Sequence, residues 1–580
     1  MFRPGPPRLR VAFLFFGREG KTMAEKLGAI LFYFLLILFI GLYTRRYARK
    51  TPEDYFLGGR NLGPFLLFWT MAATNFSAFT IFGFSGAGYR SGYAFFPIMA
   101  FGTGFMAISF SFIGRRVYEI GREHGYMTPS ELIGRQYRSR VLQLLVFAVM
   151  VVFTLPYIAI QPISAGYTLE SFLGIPYFWG GTLVMGVIVL YVFLGGFRGV
   201  VWTDVVQGIL MVVLMSAALF LLAAPHGGVV RANEEVFQKF PELFSRPGTN
   251  HAFPVSIWFS YMLLWLLCDP LFPQLFQRFF AAKSPRSLDL TMLAYPAITG
   301  LLFLLPVTIG VIGRLSHPDL SGKEADRIIP LMLSQQAVGW VGALILTAGL
   351  AALMSTLDSQ LLTLSSMFTR DVFSKPKYEK TQPRMGKAFV LILAAAGLII
   401  AYRPPSTLLA IATETFTGLA VLFPAVLGGL YWRPSTALGA ILSILVGEAL
   451  VAAYAFKLLP AFGFLPVVPI IAITTMVFVA VSLFQSGCLK RPTAALFFSW
   501  QNGRKGRRNL LSLAVFGGLF FLGIDFWAWG SSTPLFLGFP WWVWYFMILN
   551  LLIMIAIHYL LIRPCREGVE SDGIRKGTRK

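Results

Sequence analysis

The chain has 580 residues, of which 56% are hydrophobic, 16% aromatic and only 13% charged. A water-soluble domain carries about 25% charge, so a soluble fold is excluded. Apolar segments of about 20 residues likewise exclude an outer-membrane barrel, whose strands are half that length. The formal charge of +23 raises nucleic acid as a partner, but the placement of the basic residues along the chain argues against it. Three cysteines (Cys268, Cys488, Cys565) and five scattered histidines leave no disulfide framework and no local metal motif. The class is an all-α polytopic membrane protein in a lipid bilayer.

The first 22 residues open with the basic, proline-rich M-F-R-P-G-P-P-R-L-R. Residues 1–22 read as a disordered extension, or as lying ahead of a natural start at Met23. A unit over 23–50 holds the first span, 25–44. The loop D-Y-F-L-G-G-R-N-L-G then leads into a span at 64–90 with Asn75, Ser77 and Thr80 at its centre and Gly83, Gly86 and Gly88 beyond. Glycine spacing alone means helix packing. Together with mid-span polar residues it reads as a discontinuous helix whose freed carbonyls coordinate an ion.

Spans at 92–114, 142–171, 175–195 and 200–223 follow, the second carrying Pro156, Gln161 and Pro162 and the last carrying Asp204. The loop 224–254 is polar and has no catalytic spacing. The span 255–276 contains W-L-L-C-D-P-L-F-P-Q-L-F-Q-R, where Asp269-Pro270 and Pro273 break the hydrogen-bond ladder. Two interrupted helices five spans apart point to an inverted-repeat transporter with its site at the midplane.

After 288–313 comes the richest span, 341–368, with A-A-L-M-S-T-L-D-S at its middle. Ser355, Asp358 and Ser359 stand at i, i+3 and i+4 and share a helix face. Ala348, Gly349, Ala351 and Ala352 let a neighbouring backbone approach. An aspartate at this depth costs about 2.5–3.5 kcal/mol on insertion scales and so faces protein, water or an ion. The face reads as one wall of a cation site; the competing reading has each hydroxyl bonding back to its own helix.

Spans at 388–402, 407–431, 436–456, 465–485, 510–527 and 541–562 bring the total to fifteen. The tail 563–580 is too short for a soluble domain. Of the 49 Lys and Arg, 34 fall in one alternating set of loops, Arg278 among them. The positive-inside rule puts that set and the C-terminus in the cytoplasm and the N-terminus outside. The charge is therefore topogenic. No Arg or Lys is expected at mid-membrane.

Four stretches in this order resemble the sodium:solute symporter family: D-Y-F-L-G-G-R-N-L-G with its N-x-S span, G-G-F-R-G-V-V-W-T-D-V-V-Q-G, P-Q-L-F-Q-R-F-F-A-A-K, and A-A-L-M-S-T-L-D-S with T-R-D-V-F. The resemblance is closest to the monocarboxylate and pantothenate branches. It implies a five-plus-five inverted-repeat core of leucine-transporter type over 54–431, with one extra N-terminal helix and about four extra C-terminal helices over 432–562. It also implies a sodium ion held by the carbonyls of Ala73, Phe76 and Ala352 and the hydroxyls of Ser355 and Thr356. Some members hold a second cation near the aspartate that is Asp204 here, where this chain offers Asp358 and Ser359. The solute is expected among Asn75, Phe79, Thr80, Gln161, Asp269 and Gln274.

The expected activity is sodium-coupled import of a small organic solute, a carboxylate by preference, with no enzymatic chemistry. Amino acids and sugars stay open as substrates. A passive channel and a membrane sensor are the rivals from other classes.

Overall fold

Helices dominate because a chain in a bilayer must satisfy every backbone N–H and C=O within itself. The computed structural model describes residues 8–47, 51–337, 339–373, 381–460, 462–489 and 504–563. Twelve of its helices are long and apolar enough to cross a membrane, or thirteen when a bent pair counts as one span. Two of the twelve are too long for one crossing, Phe79–His124 with 46 residues and Tyr177–His226 with 50. A helix needs only about 20 residues to cross the hydrocarbon core.

Each of the two contains a glycine at positive φ, Gly92 (φ 74) and Gly196 (φ 56). A Cβ would lie 1.9 Å from the Leu243 carbonyl oxygen at Gly92 and 2.9 Å from the Tyr55 ring at Gly196, so both bends require glycine. Divided there, the spans follow the sequence pattern. Helix α1 (Arg8–Thr44) starts earlier than expected and takes in part of the segment 1–22. Residues 1–7, most of the loop 490–508 and the tail after 563 lie outside the described residues.

Helix α2 (Pro64–Asn75) begins on a proline at its first position, where an absent N–H costs nothing. It stops at Asn75, and Phe76 turns away with φ −84 and ψ 88. The Ala78 amide then donates to Gln161 Oε1 (3.2 Å) and the Phe79 amide to Ser77 Oγ (3.1 Å). Side chains thus accept from donors that the broken ladder releases. A π turn over Phe79–Gly83 leads into α3 (Phe84–Ser91). Next come α4 (Phe95–Met106), α5 (Arg140–Leu173) and α6 (Tyr177–Ala223).

The second interruption separates α7 (Val255–Cys268) from α8 (Pro273–Ala281) by a 50° bend. Pro270 and Pro273 have no amide proton to continue the ladder, and Phe272 leaves helical space with φ −54 and ψ 124. Both interrupted helices therefore stand where the sequence places them.

The remaining helices are α9 (Pro285–Ser316), α10 (Gly339–Met367), α11 (Gln382–Tyr402), α12 (Leu408–Ala420), α13 (Phe423–Tyr431), α14 (Ala437–Ala455), α15 (Val467–Leu489), α16 (Arg504–Leu522) and α17 (Trp541–Ala556). Helix α10 is the axis of the molecule. Every residue from Ile345 to Met367 is buried, and the helix touches α1, α2, α5, α6, α8 and α11. Helix α9 lies against α2, α3 and α4.

The outer helices flank this body. Helix α1 packs on α6 and α10, α14 and α15 pair beside α7 and α12, and α17 lies on α4 and α9. A fully buried ion pair fixes the loop 224–254 to the chain just past α16. Arg246 Nε and Nη2 donate to Asp525 Oδ2 (2.7 Å) and Oδ1 (2.8 Å), with the Trp529 ring 4.5 Å from the guanidinium carbon.

Candidate functional site

The end of α2 and the middle of α10 meet at the first interruption. Ser355 Oγ donates to the Ala73 carbonyl at 2.9 Å and lies 3.1 Å from the Ala352 carbonyl. Thr356 Oγ1 donates to the Thr74 carbonyl at 2.9 Å. Because α2 stops at Asn75, the carbonyls of its last turn face hydroxyls of α10. Close approach depends on the small residues ahead of them: a Cβ at Gly349 would lie 2.4 Å from the Phe82 ring.

Ala73, Ala352, Ser355 and Thr356 are fully buried, and Phe76 sits beside them at the turn. Phe76 takes no part in these hydrogen bonds, whereas Thr74, not expected from the sequence, does. The donor set is neutral oxygen throughout. It suits a monovalent hard cation, since Ca²⁺ sites collect several carboxylates. Among the described residues no cluster of three or more His, Cys, Asp or Glu stands ready for another metal.

One turn along α10 lies a charged cluster. Arg278, on α8, is fully buried. Its Nη2 donates to Asp204 Oδ2 (2.8 Å) and Ser359 Oγ (2.7 Å), its Nε to Thr70 Oγ1 (2.9 Å), and its Nη1 to the Gln274 carbonyl (2.8 Å). Thr70 Oγ1 in turn donates to Asp204 Oδ2 at 2.5 Å. Asp358 accepts from Tyr191 OH (2.7 Å) and from Ser359 Oγ (3.1 Å). Ser359 thus bonds Asp358 directly and reaches Asp204 only through Arg278 and Thr74, which touches both Asp204 (3.3 Å) and Ser359 (3.1 Å).

This corrects the expectation of no basic residue at membrane depth. All nine residues of α8 are buried, so the fragment after the break stays inside the protein and its arginine is not part of a loop. Asp204, Asp358 and Ser359 do come together, but a guanidinium stands among them. The second carboxylate oxygen of Asp204 has no hydrogen-bond partner among the described residues.

On the other side of the interruption is a cavity of about 10 Å³, barely enough for one water. Asn75, Phe79, Thr80 and Asp269 line it, as do Tyr157, Trp265 and Phe416. Phe416 stands at its centre, with ring centroids 4.7 Å from Phe272 and 5.0 Å from both Trp265 and Tyr157. Asn75 Nδ2 donates to Tyr295 OH at 2.6 Å.

Gln161 and Gln274 lie outside this lining. Gln161 accepts from the Ala78 amide and donates to the Tyr157 carbonyl (3.1 Å), so it serves the break itself. The Gln274 side chain is buried without a partner among the described residues. The aromatic wall went unseen because 16% of the whole chain is aromatic, and no spacing separates these rings from lipid-facing ones.

Two helices broken at mid-membrane, with hydroxyls of a third closing over the freed carbonyls, define an ion-coupled transporter of inverted-repeat type. The Sodium:solute symporter family model matches residues 55–447, and the chain belongs to that family. It is a multi-pass membrane protein that couples solute transport to sodium; members of the family are transporters, not enzymes.

Similar curated proteins include the sodium/pantothenate symporter of Escherichia coli (strain K12), 27% identical over 465 residues, covering 78% of this chain and 95% of the relative. The sodium/proline symporter of the same organism is 28% identical over 435 residues, covering 72% of this chain and 84% of the relative. Among solved structures, the substrate-bound outward-open state of a Na+-coupled sialic acid symporter superposes with a TM-score of 0.68 at 19% identity, covering 82% of this chain and 99% of that one. Mhp1, a nucleobase-cation-symport-1 family transporter in a closed conformation with bromovinylhydantoin bound, gives 0.52 at 13% identity, covering 77% and 96%. These likenesses show the leucine-transporter-type fold.

Proposed function

We propose that this symporter imports a small organic acid by alternating access, with one sodium ion bound by the carbonyls of Ala73, Phe76 and Ala352 and the hydroxyls of Ser355 and Thr356. The observation that carries the reading is the direct contact of Ser355 and Thr356 with the Ala73 and Thr74 carbonyls. A hydroxyl that turns its lone pair inward lets a cation replace that hydrogen bond and clamp α2 to α10. Sodium then favours the conformation in which these helices are close. A solute that prefers that conformation binds more tightly with sodium present, and the converse holds by linkage.

The ten core helices run from α2 to α13 as two inverted halves, each opening with an interrupted helix. The N-terminus lies outside and the C-terminus in the cytoplasm, a reading supported by the basic residues of the loops, which stay strongly biased to one side, 33 of 49, once the buried Arg278 is set apart. The polar face of α10 continues towards that side. Thr363 donates to Gln277 Oε1 (2.6 Å), and Gln277 Nε2 donates to Ser366 Oγ (2.9 Å). This line of polar groups is the route by which sodium leaves. Asp204, Asp358 and Ser359 lie at its head, where Arg278 supplies the positive charge that a second cation would otherwise bring.

The pantothenate relative supports a carboxylate as solute, with sodium and the Asn75 amide as its counter-groups. Asp269 faces the same cavity as an acceptor, so the solute also brings a hydroxyl or amine donor. That feature favours an amino acid as the second reading. Uptake of labelled hydroxy acids, amino acids and sugars into proteoliposomes, with and without an inward sodium gradient, decides between them. Uptake that equilibrates without accumulating would mark a channel and overturn the symport reading.

A further inference from the structure

The segment between α9 and α10 lies on the side proposed above as extracellular, and one of its carboxylates touches three parts of the protein. Asp326 closes the 3₁₀ turn Gly322–Arg327 and is 1% exposed. Its Oδ1 accepts from Arg90 Nη1 (2.9 Å), in the last turn of α3. Its Oδ2 accepts from the Leu408 amide (2.9 Å), the first residue of α12. Arg90 Nη1 also donates to the Gly322 carbonyl of the same turn (2.9 Å). One turn before Arg90, a Cβ at Gly86 would lie 1.9 Å from Asp326 Oδ1. Helix α3 thus carries a notch into which the carboxylate fits.

The neighbouring residues seat the segment as a whole. Arg327 Nη2 donates to Glu170 Oε2 (2.5 Å) at the end of α5. Tyr89 OH donates to the His317 carbonyl (2.5 Å) and accepts from the Leu320 amide (3.0 Å). The segment is therefore strapped across α3, α5 and α12. Both helices that Asp326 joins lead to the lining of the solute cavity. The chain runs from Phe79 and Thr80 straight into α3, and Phe416 stands on α12.

We propose that Asp326 is the latch of the extracellular gate: its carboxylate, shared between Arg90 of α3 and the Leu408 amide of α12, holds the site closed to the outside, and solute enters when that sharing breaks. The proposal rests on the symport reading and its orientation. A carboxylate is the group the position requires. It is acceptor-only and can serve two donors at once, whereas an amide must turn its own NH₂ towards one of them and lose that arm. Asp326 acts on transport through α3 and α12 and is a positioning residue.

The test reads access to the cavity without transport. A reporter cysteine replaces Thr80 in a chain whose Cys268, Cys488 and Cys565 are changed to alanine. A membrane-impermeant thiol reagent is applied outside, without sodium or solute. Asp326→Asn breaks one arm, and Gly86→Ala pushes the carboxylate out from the opposite helix. Both should raise the labelling rate at least about tenfold, the population shift expected from one lost charge-assisted hydrogen bond. Glu324→Gln, on the exposed face of the same turn, should leave it unchanged.

A cysteine at Thr363, labelled from the cytoplasmic side of inverted vesicles, should slow reciprocally. If Asp326 merely capped α12, Asp326→Asn would lower the melting temperature and leave both labelling rates alone, which overturns the latch. Should Asp326→Asn fail to reach the membrane, Gly86→Ala decides the matter by itself. Unchanged sodium-independent uptake together with raised labelling would sink the symport reading and leave the latch standing.

Discussion

Replacing Arg278 by glutamine removes the fixed positive charge between Asp204 and Ser359 while keeping a polar side chain of similar reach. In the structure this arginine makes hydrogen bonds to Asp204, Ser359, Thr70 and the Gln274 carbonyl with no solvent exposure. Breaking a buried pair by removing one partner costs about 3–5 kcal/mol, because the remaining charge stays buried and unpaired. Arg278→Gln should therefore lower the thermal stability of the purified protein sharply in the absence of sodium. Sodium should then restore part of the loss, because Asp204, with Asp358 nearby, now recruits a mobile cation. A ligand at 100 times its dissociation constant returns about 2.7 kcal/mol.

Asp204→Asn should destabilise as well, by stranding Arg278. The double variant, with neither charge, should lie closer to the parent than the sum of the single losses, with a coupling energy of about 2 kcal/mol or more. The assay is a melting curve in detergent at stepped sodium concentrations for all four proteins. Additive losses, or an Arg278→Gln protein that melts and responds to sodium like the parent, would show that Arg278 is not what neutralises Asp204. The reading of a second cation at Asp204, Asp358 and Ser359 predicts instead that Asp204→Asn alone lowers the sodium Hill coefficient and that adding Arg278→Gln restores nothing.

Ser355→Ala combined with Thr356→Ala should raise the sodium concentration for half-maximal uptake at least about tenfold, the worth of one or two lost ligands; unchanged sodium dependence removes the site. Asp269→Asn should weaken uptake of solutes carrying an amine far more than of simple carboxylates, measured as competition against a labelled substrate. Equal loss for both classes would mean that Asp269 only holds the interrupted helix in shape. A cysteine at Ser532 should react with an impermeant reagent outside intact cells, and one at Arg508 should not; the reverse pattern inverts the proposed orientation.

The legible parts of this protein are those where local chemistry conflicts with the bilayer. Prolines at 270 and 273, the N-F-S triplet at 75–77 and the hydroxyls at 355 and 356 are all costly inside an apolar span, so each marks a place where tertiary structure must compensate. The two interrupted helices and the contact of α10 with the end of α2 follow from those costs. Arg278 was misplaced for the opposite reason. Basic residues next to a span normally mark a loop, and only the tertiary burial of α8, itself a result of the bend at Phe272, keeps this one inside. The latch at Asp326 was equally invisible, since it joins residues 82 and 236 positions apart.

With sodium and solute placed as proposed, the interruption at Asn75 also explains how the two are coupled without any long path. Ala73 and Thr74 face the hydroxyls of α10, Asn75 lines the solute cavity, and the Ala78 and Phe79 amides donate to the side chains of Gln161 and Ser77. On the proposed sites, ion and solute therefore pull on opposite faces of the one break between Asn75 and Phe79. A cation that fixes the carbonyls on one face fixes the Asn75 and Phe79 side chains on the other, and little conformational freedom remains between them. On this geometry the coupling is carried by the backbone between Ala73 and Phe79. A substitution that rebuilds a continuous helix there, such as Phe76→Ala with Ser77→Ala, should uncouple solute flux from sodium while leaving the helices packed. Tight coupling retained in that variant would move the mechanism elsewhere.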